Sequence, residues 1–290
     1  MKIITFKNQD HYGIGALISN NQIIDLTYLV SDKSLTASQI LTCFDLGSGF
    51  LDRTKDAVSK GVPDAVDLND VEIAASVPTP GKIICIGLNY RDHAEESGMA
   101  IPTSPVIFSK FSSCIIGPND PIVIPPDSIQ SDYEAELAVV IGRTASNIKH
   151  EDAMNYVFGY ANFNDVSARD FQFADAQWQR GKSCDTFAPI GPFIATTDEI
   201  ADPQDLSIKF RLNGETLQNS STGQMIFGVA ELIEYLSHYF TLEPGDIIAT
   251  GTPPGVGFAR KPPVYLKDGD VAEVEIEGLG VLSNPVVGGR

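Results

Sequence analysis

The chain has 290 residues, enough for one large domain or for a large domain with a small one, and its 43% hydrophobic and 20% charged residues are typical of globular proteins. Its 38 acidic and 20 basic residues give a net charge of −18, which argues against nucleic acid and anionic membrane surfaces as partners. We find no signal-peptide pattern and no apolar run near the roughly 20 residues of a membrane span, so we expect a cytoplasmic protein.

The N-terminal part has a mixed pattern of strands and helices. Three short strands are predicted over 3–7, 13–19 and 22–26, and two helices over 36–44 and 50–60. Asn20 and Asn21 mark a turn between the second and third strands. Two prolines and a glycine within residues 77–81 then form a stiff joint. We therefore predict a small α+β domain over 1–76 and a second domain over 77–290.

From residue 82 onward, strand patterns dominate. Strands are predicted over 83–86, 106–109, 122–124, 136–141 and 271–276, a hairpin over 210–217, and helices over 151–158 and 229–240. Many strands with few helices favour a β-rich roll or sandwich over an alternating βαβ fold. We expect a mixed, mainly β fold.

Three carboxylates are candidate ligands of a metal ion. Glu134 and Glu136 stand two residues apart, and the five residues after them are all apolar, which indicates a buried strand. Two ionised carboxylates side by side repel each other unless a cation lies between them. Asp165, in a polar segment that we predict as a loop, could complete an oxygen site that suits Mg²⁺, Mn²⁺ or Ca²⁺. A solvent-facing strand edge is the alternative.

Other polar residues could act on a substrate. His93 and Glu96 are three residues apart at a predicted helix start, so they share a face, as a general base and its orienting carboxylate would. Arg169 could bind a substrate carboxylate with its forked donors. Lys182, in a loop that contains glycine, could act as an electrophile or bind a substrate carboxylate, and Thr252 offers a hydroxyl group in a glycine-rich loop. An ordinary structural role remains the alternative for each.

Five motifs, in this order, resemble those of the fumarylacetoacetate hydrolase family, in its smaller bacterial branch. They are Gly-Leu-Asn-Tyr-x-x-His-x-x-Glu at 87–96, Tyr-Glu-Ala-Glu-Leu at 133–137, Asn-Asp-Val-Ser-Ala-Arg-Asp at 164–170, Arg-Gly-Lys-Ser at 180–183 and Thr-Gly-Thr-Pro-x-Gly-Val-Gly at 250–257. The resemblance extends over about 82–287. It is specific for the family and not for a substrate.

The resemblance implies a C-terminal β-sandwich roll, usually in a homodimer, around a Mg²⁺ or Mn²⁺ site. It implies metal ligands Glu134, Glu136 and Asp165, catalytic residues His93, Glu96 and Lys182, and substrate-binding residues Arg169, Gln172 and Thr252. His93 and Glu96 would be a water-activating dyad. The segment 93–102 resembles a mobile lid that becomes ordered over ligand.

Chemistry and resemblance together predict an enzyme that acts on a small 2-oxo acid, whose negative charge a cation and Lys182 would offset. The main prediction is a Mg²⁺/Mn²⁺-dependent hydrolase that cleaves a C–C bond in a 2,4-dioxo acid, such as an acylpyruvate or a fumarylacetoacetate-like compound, through a metal-bound enolate. The alternative is an oxaloacetate decarboxylase or a 2-oxo acid isomerase or tautomerase on the same scaffold. A non-catalytic binding protein is a third hypothesis, which the complete set of site residues disfavours.

Overall fold

The computed structural model describes residues 1–8, 11–19, 21–31, 34–60 and 65–289. Strands β1 to β19 are Lys2–Asn8, His11–Ser19, Gln22–Asp25, Ala65–Asp67, Glu72–Ile73, Ile83–Gly87, Val106–Lys110, Ile115–Ile116, Ile122–Ile124, Ser131–Asp132, Ala135–Ile141, Val157–Asn164, Ser167–Ala168, Ala188–Thr196, Ser207–Leu212, Glu215–Ser221, Ile247–Ala249, Val271–Ile276 and Val281–Gly288. Helices α1 to α6 are Ala37–Cys43, Phe50–Lys60, Arg91–Ser97, Arg169–Gln172, Gln179–Lys182 and Val229–Tyr239. Short 3₁₀ helices lie at Thr27–Leu29, Leu46–Ser48, Leu68–Asp70, Ser112–Cys114, His150–Tyr156, Thr222–Gln224 and Gly257–Ala259.

Most strands belong to two sheets. A 12-stranded sheet has the order β4-β3-β2-β1-β14-β12-β11-β17-β6-β7, with β5 beside β1 and β8 beside β14. A five-stranded sheet has the order β16-β15-β18-β19-β9, and β10 pairs with β13. The prediction of a mainly β fold is therefore confirmed. Within the described part of the chain, no helix combines the length and the apolar character that a membrane crossing requires.

The N-terminal strands continue the large sheet. Lys2 of β1 pairs with Ala195 of β14, so the sheet runs through both halves of the chain. The predicted N-terminal strands and helices are present, and a capping box between Thr36 and Gln39 begins α1. Asn20 of the predicted turn lies outside the described residues. The division into domains 1–76 and 77–290 stays a prediction.

Strand β11 shows how the sheet holds the site. All seven residues of Ala135–Ile141 are buried, and β12 and β17 flank the strand on its two sides. Because strand side chains alternate, Val139 packs into one hydrophobic cluster and Val140 into the other. The sheet is thus covered on both faces, as the apolar run after Glu136 predicts.

The predicted α-helix over 151–158 is wrong. Residues His150–Tyr156 form a 3₁₀ helix, and β12 begins at Val157. All eight residues of β12 are buried between β11 and β14, and a Cβ added to Gly159 would lie 2.3 Å from the Ala195 carbonyl oxygen. Long-range pairing and this close approach of two backbones override the weak local helical pattern.

Candidate functional site

The three predicted carboxylates lie together. Glu134 precedes β11, Glu136 is its second residue, and Asp165 follows β12, which pairs with β11. The Asp165 amide donates to the Glu134 carbonyl oxygen at 2.9 Å. The side chains offer oxygen atoms within 4.8 Å of one another. The residues are 7%, 1% and 0% exposed, in sequence order, so solvent does little to screen their mutual repulsion.

Two of the carboxylates have cationic partners. The Lys182 ammonium group donates to Glu134 Oε2 at 2.7 Å and to Asp165 Oδ2 at 2.8 Å, and Arg169 Nη2 donates to Glu134 Oε1 at 2.6 Å. Burial by itself would raise the pKa of Glu134, but the charges of Lys182 and Arg169 outweigh it and lower that pKa to about 2. Glu134 is therefore ionised in the folded protein at neutral pH.

Glu136 differs from its two neighbours. Its Oε2 accepts a hydrogen bond of 2.9 Å from the Gly251 amide, and within the described ranges no Lys, Arg or His nitrogen lies within 4.0 Å of its carboxylate. Burial, followed by the charges of Asp165 and Glu134, raises its pKa well above the ordinary value. A bound cation would remove this penalty, so the three oxygen donors fit a hard divalent ion such as Mg²⁺ or Mn²⁺.

The predicted dyad lies on one face of helix α3. His93 Nδ1 is 3.5 Å from Glu96 Oε2, and Nδ1 makes no hydrogen bond within the part of the chain that is described. Glu96 Oε2 accepts a bond of 3.1 Å from the Gly255 amide in the glycine-rich loop, which fixes the carboxylate. Glu95 is exposed, as its position on the helix predicts. The imidazole is therefore beside a carboxylate and free to gain a hydrogen bond.

The rest of the protein holds α3 through its polar side chains. Ser220 on β16 donates to Asp92 Oδ2 at 2.5 Å, and Arg91 Nη1 donates to the Met225 carbonyl oxygen at 3.1 Å. Asp92 directly precedes His93, so these contacts determine where the imidazole lies.

Most of the predicted site residues line one cavity of about 450 Å³. Eight of the nine do so: His93, Glu96, Glu134, Glu136, Arg169, Gln172, Lys182 and Thr252. Asp165 lies behind the wall, where it contacts Lys182. Apolar and small residues form the remaining wall: Ile86, Gly87, Leu88, Met99, Phe108, Phe173, Trp178, Phe258 and Ala259.

The predicted substrate-binding arginine is already part of a buried network. Besides Glu134, Arg169 donates through Nε to Asp132 Oδ2 at 2.9 Å and through Nη1 to Gln172 Oε1 at 3.0 Å. Its guanidinium group also lies 4.5 Å from the centre of the Phe258 ring. Arg169 thus helps to hold Glu134 and Asp132 in place, and Gln172 helps to hold Arg169. Contact of either residue with substrate stays a prediction.

The Thr252 hydroxyl group is also hydrogen-bonded within the protein. Its hydroxyl group donates to the Ala135 carbonyl oxygen at 2.9 Å and accepts from Gln218 Nε2 at 2.8 Å. These bonds attach the glycine-rich loop to the start of β11. Lys182 and Arg169 lie in short helical turns, α5 and α4, where the sequence predicts loops.

Sequence reasoning missed Lys110, which ends β7. Its ammonium group is buried and donates to Asp165 Oδ1 at 2.5 Å and to the Val166 carbonyl oxygen at 2.9 Å. Lys110 thus holds one oxygen of Asp165 while Lys182 holds the other. A lone lysine after an apolar strand was the available signal, and it is also typical of an ordinary strand end.

Known proteins resemble this chain over its whole length. Residues 82–287 match the family described as "Fumarylacetoacetate (FAA) hydrolase C-terminal". The chain is 46% identical to "Oxaloacetate tautomerase fahd2, mitochondrial" of Xenopus laevis over 292 residues, which cover 99% of this chain and 90% of that protein.

Solved structures agree with this match. A fumarylacetoacetate hydrolase from psychrophilic Exiguobacterium antarcticum is 40% identical, with a TM-score of 0.83 over 100% of both chains. A maleylpyruvate hydrolase from Sphingobium sp. SYK-6 in complex with manganese(II) ion and pyruvate is 31% identical, with a TM-score of 0.83 over 100% of both chains. These similarities confirm the resemblance that the five motifs predict. The chain belongs to the fumarylacetoacetate hydrolase family of enzymes.

Proposed function

We propose that this chain catalyses the keto–enol tautomerisation of a small 2-oxo acid, with oxaloacetate as the first substrate to test and Mg²⁺ or Mn²⁺ as its metal. One observation carries the proposal: His93 and Glu96 line the same cavity as the carboxylates Glu134 and Glu136. A proton-transfer group and a site that fits a divalent ion therefore face one small space.

Tautomerisation needs only that a proton move between the 2-oxygen and C3 of the substrate. In the enol-to-keto direction the hydroxyl proton leaves, a proton adds to C3, and no water or other reactant is consumed. His93 is the group that accepts and returns the proton, at Nε2, since its buried Nδ1 lies 3.5 Å from Glu96 Oε2. Glu96, held by Gly255, stabilises the imidazole while it is charged.

The carboxylates Glu134, Glu136 and Asp165 would hold the divalent ion. When bound, the ion supplies a Lewis acid that withdraws electrons from the carboxylate and 2-oxo oxygens of the substrate. Lys182, shared by Glu134 and Asp165, keeps both side chains in place and, with Arg169, adds positive charge beside the carboxylates of the cavity wall.

The relatives support a tautomerase more than the predicted hydrolase. The Xenopus laevis relative is named an oxaloacetate tautomerase, which agrees with the alternative that the sequence leaves open. The hydrolase stays a second candidate because the similar Sphingobium structure is a maleylpyruvate hydrolase with manganese and pyruvate. In that reaction His93 would deprotonate a water molecule instead of the substrate.

One experiment separates tautomerisation from decarboxylation of oxaloacetate, and acetylpyruvate in a parallel sample tests the hydrolase by release of pyruvate without CO₂. The enol of oxaloacetate, added from an aprotic solvent, loses its ultraviolet absorbance as it becomes the ketone. The protein with Mg²⁺ or Mn²⁺ should speed this loss well beyond the buffer rate, and a chelator should abolish the effect. Pyruvate and CO₂ are measured in the same samples. Acceleration without either product supports the tautomerase, whereas equal enol lifetimes with and without protein contradict it.

Two further predictions concern the assembly and its location. The homodimer stays a prediction, which light scattering after gel filtration can test. The name of the Xenopus laevis relative places that protein in mitochondria, so the cytoplasmic location of this chain also stays a prediction.

A further inference from the structure

The outer part of the cavity has a chemistry that oxaloacetate does not use. We define the outer wall as the side chains Leu88, Met99, Phe108, Phe173, Trp178 and Phe258, which line the cavity and are all partly exposed to solvent. The carboxylates, Arg169 and Lys182 lie at its buried end. The cavity is thus polar at the inner end and apolar at the outer end.

The outer wall offers no partner for a second carboxylate. Of the described residues, only Arg169 and Lys182 bring a lysine or arginine side chain to the cavity. Both are committed, Arg169 to Asp132, Glu134 and Gln172, and Lys182 to Glu134 and Asp165. A carboxylate placed against Leu88, Met99, Phe173 or Trp178 would lose part of its hydration and gain no uncommitted lysine or arginine partner.

The volume also exceeds the needs of a four-carbon acid. The cavity of about 450 Å³ lies within the range of about 300–1,000 Å³ that is typical of pockets for drug-sized ligands. The rings on the wall are mutually packed: Phe108 lies edge-on to Trp178 at 5.3 Å and Phe173 edge-on to Phe258 at 5.8 Å. They form two aromatic pairs on the wall, and Phe258 and Phe108 also lie against the cations of the polar end, Arg169 at 4.5 Å and Lys182 at 4.9 Å from the ring centres.

We propose that this cavity selects 2-oxo acids that carry an apolar group, an alkyl or aryl substituent, at the end remote from the 2-oxo carboxylate. The proposal rests on the proposed function, because it assumes that the 2-oxo carboxylate binds at the polar end. Oxaloacetate is then a substrate that uses only half of the cavity. Each methyl group buried against the outer wall strengthens binding, and the second carboxylate of oxaloacetate weakens it.

Binding is tested with two ligands that differ in one group. 3,3-Dimethyl-2-oxobutanoate and 3,3-dimethyloxaloacetate both lack hydrogen at C3, so neither can enolise, and one has a methyl group where the other has a carboxylate. Trp178 is the single tryptophan of the chain and lies on the outer wall, so its fluorescence reports the titration of the Mg²⁺-loaded protein. We expect dimethyloxobutanoate to bind about tenfold more tightly. Equal affinities, or tighter binding of dimethyloxaloacetate, would overturn the proposal.

A charge placed on the outer wall should reduce the preference for the apolar ligand. Phe173 is 58% exposed, so the Phe173→Arg variant should fold. The new arginine should pair with the second carboxylate of dimethyloxaloacetate and strengthen its binding. We expect only about a fivefold gain in affinity, because solvent screens a half-exposed ion pair. Phe111 is 57% exposed and is not on the cavity wall, so Phe111→Arg is the matched control and should change neither affinity. Met99→Lys, also on the outer wall, serves if Phe173→Arg does not fold. An unchanged preference in the folded outer-wall variant contradicts the proposal.

Turnover separates this proposal from the proposed function. Phenylpyruvate enol, which carries an apolar ring, and oxaloacetate enol are compared by their kcat/KM for loss of the enol. A higher value for phenylpyruvate supports the selectivity, and a higher value for oxaloacetate overturns it while the tautomerase stands. If neither enol is consumed, the proposed function fails, and the two titrations still decide whether the outer wall selects apolar groups.

Discussion

The carboxylate cluster, through Glu134 and Glu136, and the dyad line one cavity, but the protein supports them differently. Glu136 is part of β11, which is buried and hydrogen-bonded on both sides. His93 lies on α3, a helix of seven residues that ends at Gly98. Gly98 has a φ of 62°, and a Cβ added there would have no described neighbouring atom within 4 Å. Isolated helices this short are unstable in water, so α3 depends on a few contacts from elsewhere. The charged half of the site is built into the sheet, whereas the proton-transfer half is positioned by these few contacts.

This difference suits a reaction that moves protons. Carboxylates that repel one another must be held by a rigid frame, since any relaxation would separate them and weaken ion binding. A general base does not need such a frame before substrate arrives. If it lies on an element that closes over the substrate, closure also removes bulk water from the reacting atoms.

Removing the carboxylate of Glu136, which has no cationic partner among the described residues, should have the largest effect. Glu136→Gln keeps the shape of the side chain and removes its charge. We expect loss of Mg²⁺ binding and a fall in tautomerase activity of at least roughly 1,000-fold, because the Lewis acid contributes several kcal/mol. Metal content after dialysis and enol decay are measured together.

The metal-free Glu136→Gln variant should be no less stable than the metal-free wild type. The substitution removes the unfavourable interaction of an ionised Glu136 with burial and with the charges of Asp165 and Glu134. An active variant without bound metal would contradict the assigned role.

Removing the imidazole should have a smaller effect and leave the carboxylate cluster intact. We expect His93→Ala to lower kcat by roughly 100-fold or more, the usual loss for a general base, with unchanged Mg²⁺ affinity. Glu95→Ala, on the exposed side of the same helix, is the control and should retain activity. Equal losses in the two variants would show that the helix, and not the imidazole, carries the effect.

Local spacing explains which parts of the site the sequence predicts. Glu134 with Glu136, and His93 with Glu96, are pairs within one strand end and within one helix, so their shared faces follow from backbone periodicity. Lys110 reaches Asp165 across 55 residues, and that contact exists only because β7 ends near the end of β12. No local pattern contains that information.

The strands also show that a local pattern predicts only the structure that neighbouring residues determine. The hairpin around Asn213-Gly214 is found where predicted, because the turn itself determines it. The strand β14 contains Pro189 and Pro192, which disfavour a strand in local reasoning, and its partners β1 and β12 come from distant segments. The wall of aromatic rings likewise comes from several segments, so the sequence does not reveal the apolar half of the cavity.

Weakening the attachment of α3 should cost less than removing its imidazole. Ser220→Ala deletes the hydroxyl that donates to Asp92. One hydrogen bond to a charged group stabilises the attached helix modestly, so we expect kcat/KM to fall by about three- to tenfold with metal affinity unchanged. Asn219→Ala, at the exposed neighbouring position on β16, is the control. A fall in metal affinity would show that α3 and the carboxylate cluster are not independent.

The smallest perturbation changes no residue and compares the two halves directly by amide hydrogen exchange. Within 93–102, Gly98 permits backbone freedom and Pro102 biases Ile101 away from helix, so this segment should exchange fast in the Mg²⁺-bound enzyme. Residues 136–141 should be protected, because their amides belong to a buried strand with partners on both sides. Oxalate, which resembles the carboxylate and 2-oxo oxygens of an enolate, should slow exchange across 93–102 and leave 136–141 unchanged. Equal protection of 93–102 with and without oxalate would mean that the dyad is already fixed before substrate binds, and that both halves of the site are preorganised.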